Sequence, residues 1–210
     1  MAIPSYLTVT PTSGSGNGSV SISPKTKHTG RVARSSTLKG SMTNYPSVEE
    51  VTINVTESPK AEFVSFSSST YSVTKTGSTL SVTGTSNSSK LTFSYPSNGI
   101  GIAAITSYKV GTATATSGTA ISGDPGATAQ YTFTLSLTYS TNTTVKARST
   151  QIKVTANSSS VTATTTITQA AGDPYLWLGS SGTSTFSVTV PQAGTAQSVQ
   201  VLSNDAWTVS

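Results

Sequence analysis

The sequence predicts an all-β protein in which one complete antiparallel sandwich is flanked by the two halves of a second. Three observations carry this. Ser and Thr supply more than a third of the 210 residues, while only 9% are charged. Low charge with abundant Thr and Val disfavours both helix and disorder and favours strands. Short segments alternate apolar and polar residues, with turn residues between them. The third observation is an internal repeat in which each end of the chain copies a different part of the middle.

The repeat is read directly from the residues. TYSVT at Thr70–Thr74 matches TFSVT at Thr185–Thr189. GSTLSVTGTSNSSKLTFS at Gly77–Ser94 matches GTAQSVQVLSNDAWTVS at Gly194–Ser210, with one extra residue in the first copy. TESPKAEFVSF at Thr56–Phe66 has the layout of TQAAGDPYLWL at Thr168–Leu178. The offset is 112 residues there and 115 to 117 further on. VARSSTLKGSMT at Val32–Thr43 resembles VKARSTQIKVTA at Val145–Ala156, and VEEVTINVTE resembles VTATTTITQ. The middle therefore holds both parts of a module. Residues 1–58 hold only its second half, 59–172 a complete domain with an insertion near 96–122, and 173–210 only its first half.

Each segment has the period of a half-buried strand. STFSVTV places Phe186, Val188 and Val190 on one face; SVQVL pairs Val199 with Val201; Asn204–Asp205 is a turn before Trp207 and Val209. VTINV groups Val51, Ile53 and Val55, and TFTLSLTYS groups Phe133, Leu135, Leu137 and Tyr139. SGSGNG at Ser13–Gly18 is a turn; no Lys-Ser/Thr and no helix follow it, so it is not a phosphate cradle. GIGIAAI at Gly99–Ile105 is either a buried strand or an exposed contact patch.

Little here supports catalysis. The chain has no cysteine, one histidine and seven acidic residues. His28 lies among basic residues with no carboxylate near it in sequence, so neither a metal site nor a Ser-His-Asp arrangement is expected. Glu49 and Glu50 would point to opposite faces of a strand. No catalytic, cofactor-binding or metal-binding residue is assigned, and no cofactor is expected. The start, MAIPSYLTVTP, has no basic and apolar leader pattern, and no run approaches a membrane span. The expectation is a protein made and kept in a cytoplasm, or released by lysis, without a membrane partner.

The net charge of +5 resides in one stretch, Pro24–Gly40, with Lys25, Lys27, Arg31, Arg34 and Lys39. One reading is a contact to an acidic surface such as another protein. Nucleic acid is not expected, because no aromatic residue is interleaved for stacking. The plainer reading is a solvated hairpin whose charges blunt a sheet edge. Tyr175, Trp177 and Trp207 are either a sugar-stacking platform or packing residues.

Joined tail to head, the ends read FSVTVPQAGTAQSVQVLSNDAWTVS followed by AIPSYLTVTPTSGSGNGSVSIS. That order resembles the BACON domain, the immunoglobulin-like module of Bacteroidetes proteins and some of their phages, and ITQAAG at Ile167–Gly172 resembles its last strand. The central copy departs from the pattern, with ISGDPGATAQ in place of the SGSGNG loop. The resemblance implies immunoglobulin-like sandwiches. It also implies one of two roles. The first is a capsid auxiliary or decoration protein of a crAss-like Bacteroides phage, located in the virion and bound to other copies of itself and to other capsid proteins. The second is a carbohydrate-binding or adhesive module at a cell surface or secreted, with glycans as ligands.

Half a sandwich exposes an apolar face and bare edges. Phe186, Val188, Val199, Val201 and Trp207 therefore need a partner layer, and Tyr6, Leu7 and Val9 lie in the best candidate for it. Three arrangements supply it: closure within one chain, head-to-tail complementation between chains, or pairing with sequence beyond this chain.

Overall fold

The computed structural model describes residues 3–179 and 184–210. Residues 1–2 of the first segment and 180–183 of the last lie outside the described residues. The chain is all-β; among the described residues the one helical turn is a 3-10 turn at Pro125–Ala127.

Four strands come first. β1 (Leu7–Thr10) and β2 (Ser21–Pro24) form one antiparallel pair, and β3 (Arg34–Gly40) and β4 (Val51–Glu57) form another. Each pair is a sheet of its own, so β2 and β4 each have a neighbour on one side only. Leu7 and Leu38 are buried in this part, while Val20, Val51 and Ile53 stay exposed.

The middle of the chain is a closed two-layer sandwich. Its strands are β5 (Val64–Phe66), β6 (Thr70–Val73), β7 (Ser78–Ser86), β8 (Thr92–Asn98), β9 (Ser107–Val110), β10 (Ala113–Thr116), β11 (Tyr131–Tyr139), β12 (Arg148–Thr155) and β13 (Thr162–Gln169). One sheet has the order β10-β9-β11-β7-β5 and the other β6-β13-β12-β8. All neighbours are antiparallel except β6, which runs parallel to β13.

The alternation read from the sequence explains the core. Phe133, Leu135, Leu137 and Tyr139 of β11 all point inward and are buried. They meet Ile152, Val154 and Ile167 from the opposite sheet in one apolar cluster. Each fully buried aliphatic side chain contributes roughly 2 kcal/mol relative to exposure. Gly84 is required by this packing: a Cβ there would run into the Phe133 ring and the Ser65 carbonyl. The 96–122 insertion belongs to the sandwich. Its β9–β10 hairpin widens one sheet, and Ile100, Ile102, Tyr108 and Ile121 enter the core. Gly99–Ile105 is not a strand. It is a turn lining the core edge, held by Asn98, whose Oδ1 accepts from the Gly101 and Ile102 amides.

The last segment contributes β14 (Leu176–Leu178) paired antiparallel with β15 (Val201–Ser203). The expected strand STFSVTV is not formed: residues 184–190 lie outside any strand, as do Trp207–Val209. The reason is the lack of a ladder partner. The counterpart of this segment in the middle, β6, is a strand because β13 accepts it as an edge.

Candidate functional site

The clearest built features outside the core are the two ends of the central sandwich. At one end sits Asn87, fully buried. Its Oδ1 accepts from the Phe63 amide at 2.9 Å. Its Nδ2 donates to the carbonyls of Thr29, Lys60 and Ala61 at 3.3, 3.4 and 3.2 Å. One side chain thus ties the N-terminal segment, the linker and the start of β5 together. The joint is reinforced by backbone bonds: Arg31 and Val32 amides to the Gly126 and Ala127 carbonyls, each 3.0 Å, and the Lys60 amide to the Gly30 carbonyl at 2.8 Å. Gly30 lies so close to Ala127 and Thr128 that no Cβ fits. Arg31 also pairs with Asp124 across this joint.

At the opposite end, Asn204 repeats the arrangement. Its Nδ2 donates to the carbonyls of Thr143 and Asp173, both at 2.8 Å, and its Oδ1 accepts from the Tyr175 amide at 3.1 Å. Lys75 pairs with Asp173 beside it. β14 meets β15 in the register in which β5 meets β7: Leu176 faces Ser203 as Val64 faces Ser86. The equivalence extends to the N-terminal segment. Arg34 faces and hydrogen-bonds Glu57 in the β3–β4 pair, as Arg148 does Gln169 in the β12–β13 pair. Buried His28 donates from Nε2 to the carbonyl four residues on, Val32, at 2.7 Å. Asn142 does the same to Lys146 at 2.8 Å. His28 is thus a loop clamp at the position that Asn142 holds in the middle copy.

The two ends are far apart. Asn87 follows the last residue of β7, and the Asn142 loop lies beyond its first; nine extended residues span about 26 Å. The N-terminal strands are therefore anchored at one pole and β14–β15 at the other. No ladder joins them.

Both flanking segments are open. A groove of about 560 Å³ runs between the β1–β2 and β3–β4 pairs, with Ile3, Val9, Val20, Leu38 and Ile53 among its walls. Leu7 is buried within this segment, and Tyr6 lies under the Arg34 guanidinium, 4.0 Å from its ring centre. At the far pole Phe186, Val188 and Trp207 are exposed, and Val199 and Val201 are half-buried. Phe186 and Val188 answer to half-buried Tyr71 and Val73 of the middle copy, while other exposed residues answer to buried ones. Trp207 is 49% exposed and its counterpart Leu91 0%; Ile53 is 41% exposed and its counterpart Thr165 1%.

The basic stretch is largely engaged within the chain. Arg31 pairs with Asp124, Arg34 with Glu57 at 2.7 Å, and Lys39 with Glu50 at 2.6 Å. Lys25 and Lys27 are exposed and have no ion-pair partner among the described residues. The hydrogen bond from Arg34 holds the Glu57 carboxyl below the usual carboxylate range, and Lys39 does the same for Glu50. Sequence separation hid the Arg31–Asp124 pair, but the repeat itself could have pointed to Asn87 and Asn204, which align as Ser-Asn.

Tyr175 and Trp177 stack at the surface, ring centres 4.7 Å apart and planes 29° from parallel. Among the described residues no group of three or more His, Asp or Glu side chains is gathered to hold a metal ion, and no helix is long and apolar enough to cross a membrane. No protein-family model matches the chain, and no curated protein matches it at a significant level.

Proposed function

We propose that the protein is a structural subunit that assembles head to tail through its two open half-sandwiches, each completed by a neighbouring copy into an immunoglobulin-like domain. One observation carries this reading. Apolar residues left open at the two poles, Trp207 and Ile53 among them, have repeat counterparts that are buried in the central sandwich. Exposed apolar patches of this kind mark interaction surfaces. The resemblance of the joined ends to the BACON pattern extends the reading to its setting, a capsid auxiliary or decoration protein of a phage virion, in contact with other capsid proteins. Within the basic stretch, Lys25 and Lys27 have no ion-pair partner among the described residues and are placed to make such contacts.

Sedimentation over a wide range of concentration tests the assembly. Mass is expected to rise with concentration, and deletion of Phe186–Ser210 is expected to abolish the rise. A strict monomer at every concentration refutes the proposal. Mass spectrometry of purified particles from a producing culture tests the setting; the chain is expected in many copies per particle, and its absence refutes a virion role.

The stacked Tyr175–Trp177 pair favours a second reading, glycan binding at an exposed aromatic platform. Affinity on a glycan array that vanishes on Trp177→Ala supports it; no affinity removes it.

A further inference from the structure

We infer that residues 185–188 of one copy add to β4 of the next as a parallel strand, in a register that the central sandwich dictates. This rests on the head-to-tail reading and names its contact. In the middle copy β6 lies beside β13 with Thr70, Tyr71, Ser72 and Val73 facing Thr166, Ile167, Thr168 and Gln169. β4 stands for β13, because Arg34–Glu57 and Arg148–Gln169 occupy the same place in their pairs. The segment TFSVT stands for β6 by its sequence. Carrying the register across places Phe186 opposite Val55, Ser187 opposite Thr56 and Val188 opposite Glu57.

Four observations select a second copy as the occupant. β4 has a neighbour on one side only, so its other edge offers unpaired amides and carbonyls. Residues 184–190 carry strand alternation yet lie outside any strand. The groove between the two strand pairs has Ile53 of β4 in its wall, with Ile3, Val9, Val20 and Leu38. Asn87 anchors β3–β4 at one pole and Asn204 anchors β14–β15 at the other. A single sandwich cannot sit at both poles, so the two halves of one copy do not meet each other. Asn87 and Asn204 make matching hydrogen bonds at the two joints, to the preceding loop and to the linker.

The absence of cysteine from the chain makes disulfide trapping clean. Thr56→Cys and Ser187→Cys replace outward-facing residues, whose counterparts Thr168 and Ser72 are exposed in the closed sandwich. The two single variants are mixed and oxidised mildly. A disulfide-linked dimer is expected, with a yield at least about tenfold above that from Thr52→Cys mixed with Ser187→Cys, whose Cα atoms stand roughly 13 Å apart, beyond disulfide reach. Val55→Cys with Phe186→Cys gives an independent pair on the inner face. Equal cross-linking of the Thr52→Cys control overturns the register and leaves head-to-tail assembly standing. Concentration-dependent oligomers that neither pair traps overturn it likewise. A double variant that closes on itself while the mixture yields nothing overturns the second copy as occupant. Strict monomers by sedimentation, with no cross-link, remove this contact and the head-to-tail reading together.

Discussion

Replacing Asn87 by alanine tests whether one side chain holds the joint between the N-terminal segment and the central sandwich. Asn87 is fully buried and serves four backbone groups. Alanine leaves the Phe63 amide without its acceptor and three carbonyls without their donor. Two of the three donor contacts are 3.3 Å or longer, so they share two N–H groups weakly. The Phe63 amide, at 2.9 Å, is the larger loss. An orphaned buried group costs about 1–3 kcal/mol. One such group plus weakened carbonyls sums to about 2–4 kcal/mol, or a fall in Tm on the order of 8–15 °C for a domain of this size. Calorimetry on the full chain measures it. Asn87→Asp sharpens the test, since it keeps the acceptor but turns a carboxylate towards three carbonyls; it is expected to be worse than alanine. An alanine variant within about 0.5 kcal/mol of wild type, the usual range of an inconsequential surface change, refutes the joint as argued. So does an aspartate variant milder than alanine.

Other substitutions probe the remaining links. Leu135→Ala removes a fully buried side chain between the sheets and is expected to cost about 3–5 kcal/mol in urea unfolding. Gly84→Ala forces the Phe133 ring away from β7; loss of near-ultraviolet circular dichroism and a lowered urea midpoint are expected. The Glu57 carboxyl is held below its ordinary range by Arg34. Its contribution to stability is therefore present above the unfolded carboxylate pKa and is lost as pH falls through the lower folded value. Amide exchange in β3–β4 is expected to rise across that acid window, and Glu57→Gln is expected to flatten the dependence. Asn204→Ala is expected to cost little in dilute solution, where Asn204 is half-exposed. It is expected to weaken assembly at high concentration, which sedimentation reads.

The fold was largely legible in period-two alternation. β11 reads Phe133, Leu135, Leu137, Tyr139, and all four are buried. The same rule failed for STFSVTV because alternation reports which face is to be covered, while strand formation also needs an edge to pair with. That segment has the first without the second. The 96–122 insertion was visible as a departure from the repeat, but not its burial, since Ile100 and Ile102 enter the core from a turn. The basic stretch read as unbalanced because its carboxylates come from afar: Asp124 lies 93 residues beyond Arg31. Asn87, Asn142 and Asn204 are the least legible features. An asparagine in a loop reads as a turn former, and only backbone geometry reveals the carbonyls converging on it.

The parallel placement of β6 beside β13 bears on how the protein carries tension. β6 lies near the beginning of the central sandwich and β13 at its end, and the chain enters at the Asn87 pole and leaves at the Asn142 pole. A force drawing these two ends apart pulls the parallel strands past each other along their length. The ladder from Thr70 to Val73 is then loaded in shear, and its bonds must give way together rather than unzip one by one. Rupture is governed by the barrier to that concerted step and not by equilibrium stability. A sandwich wired in this way resists stretching along the line in which its joints are set.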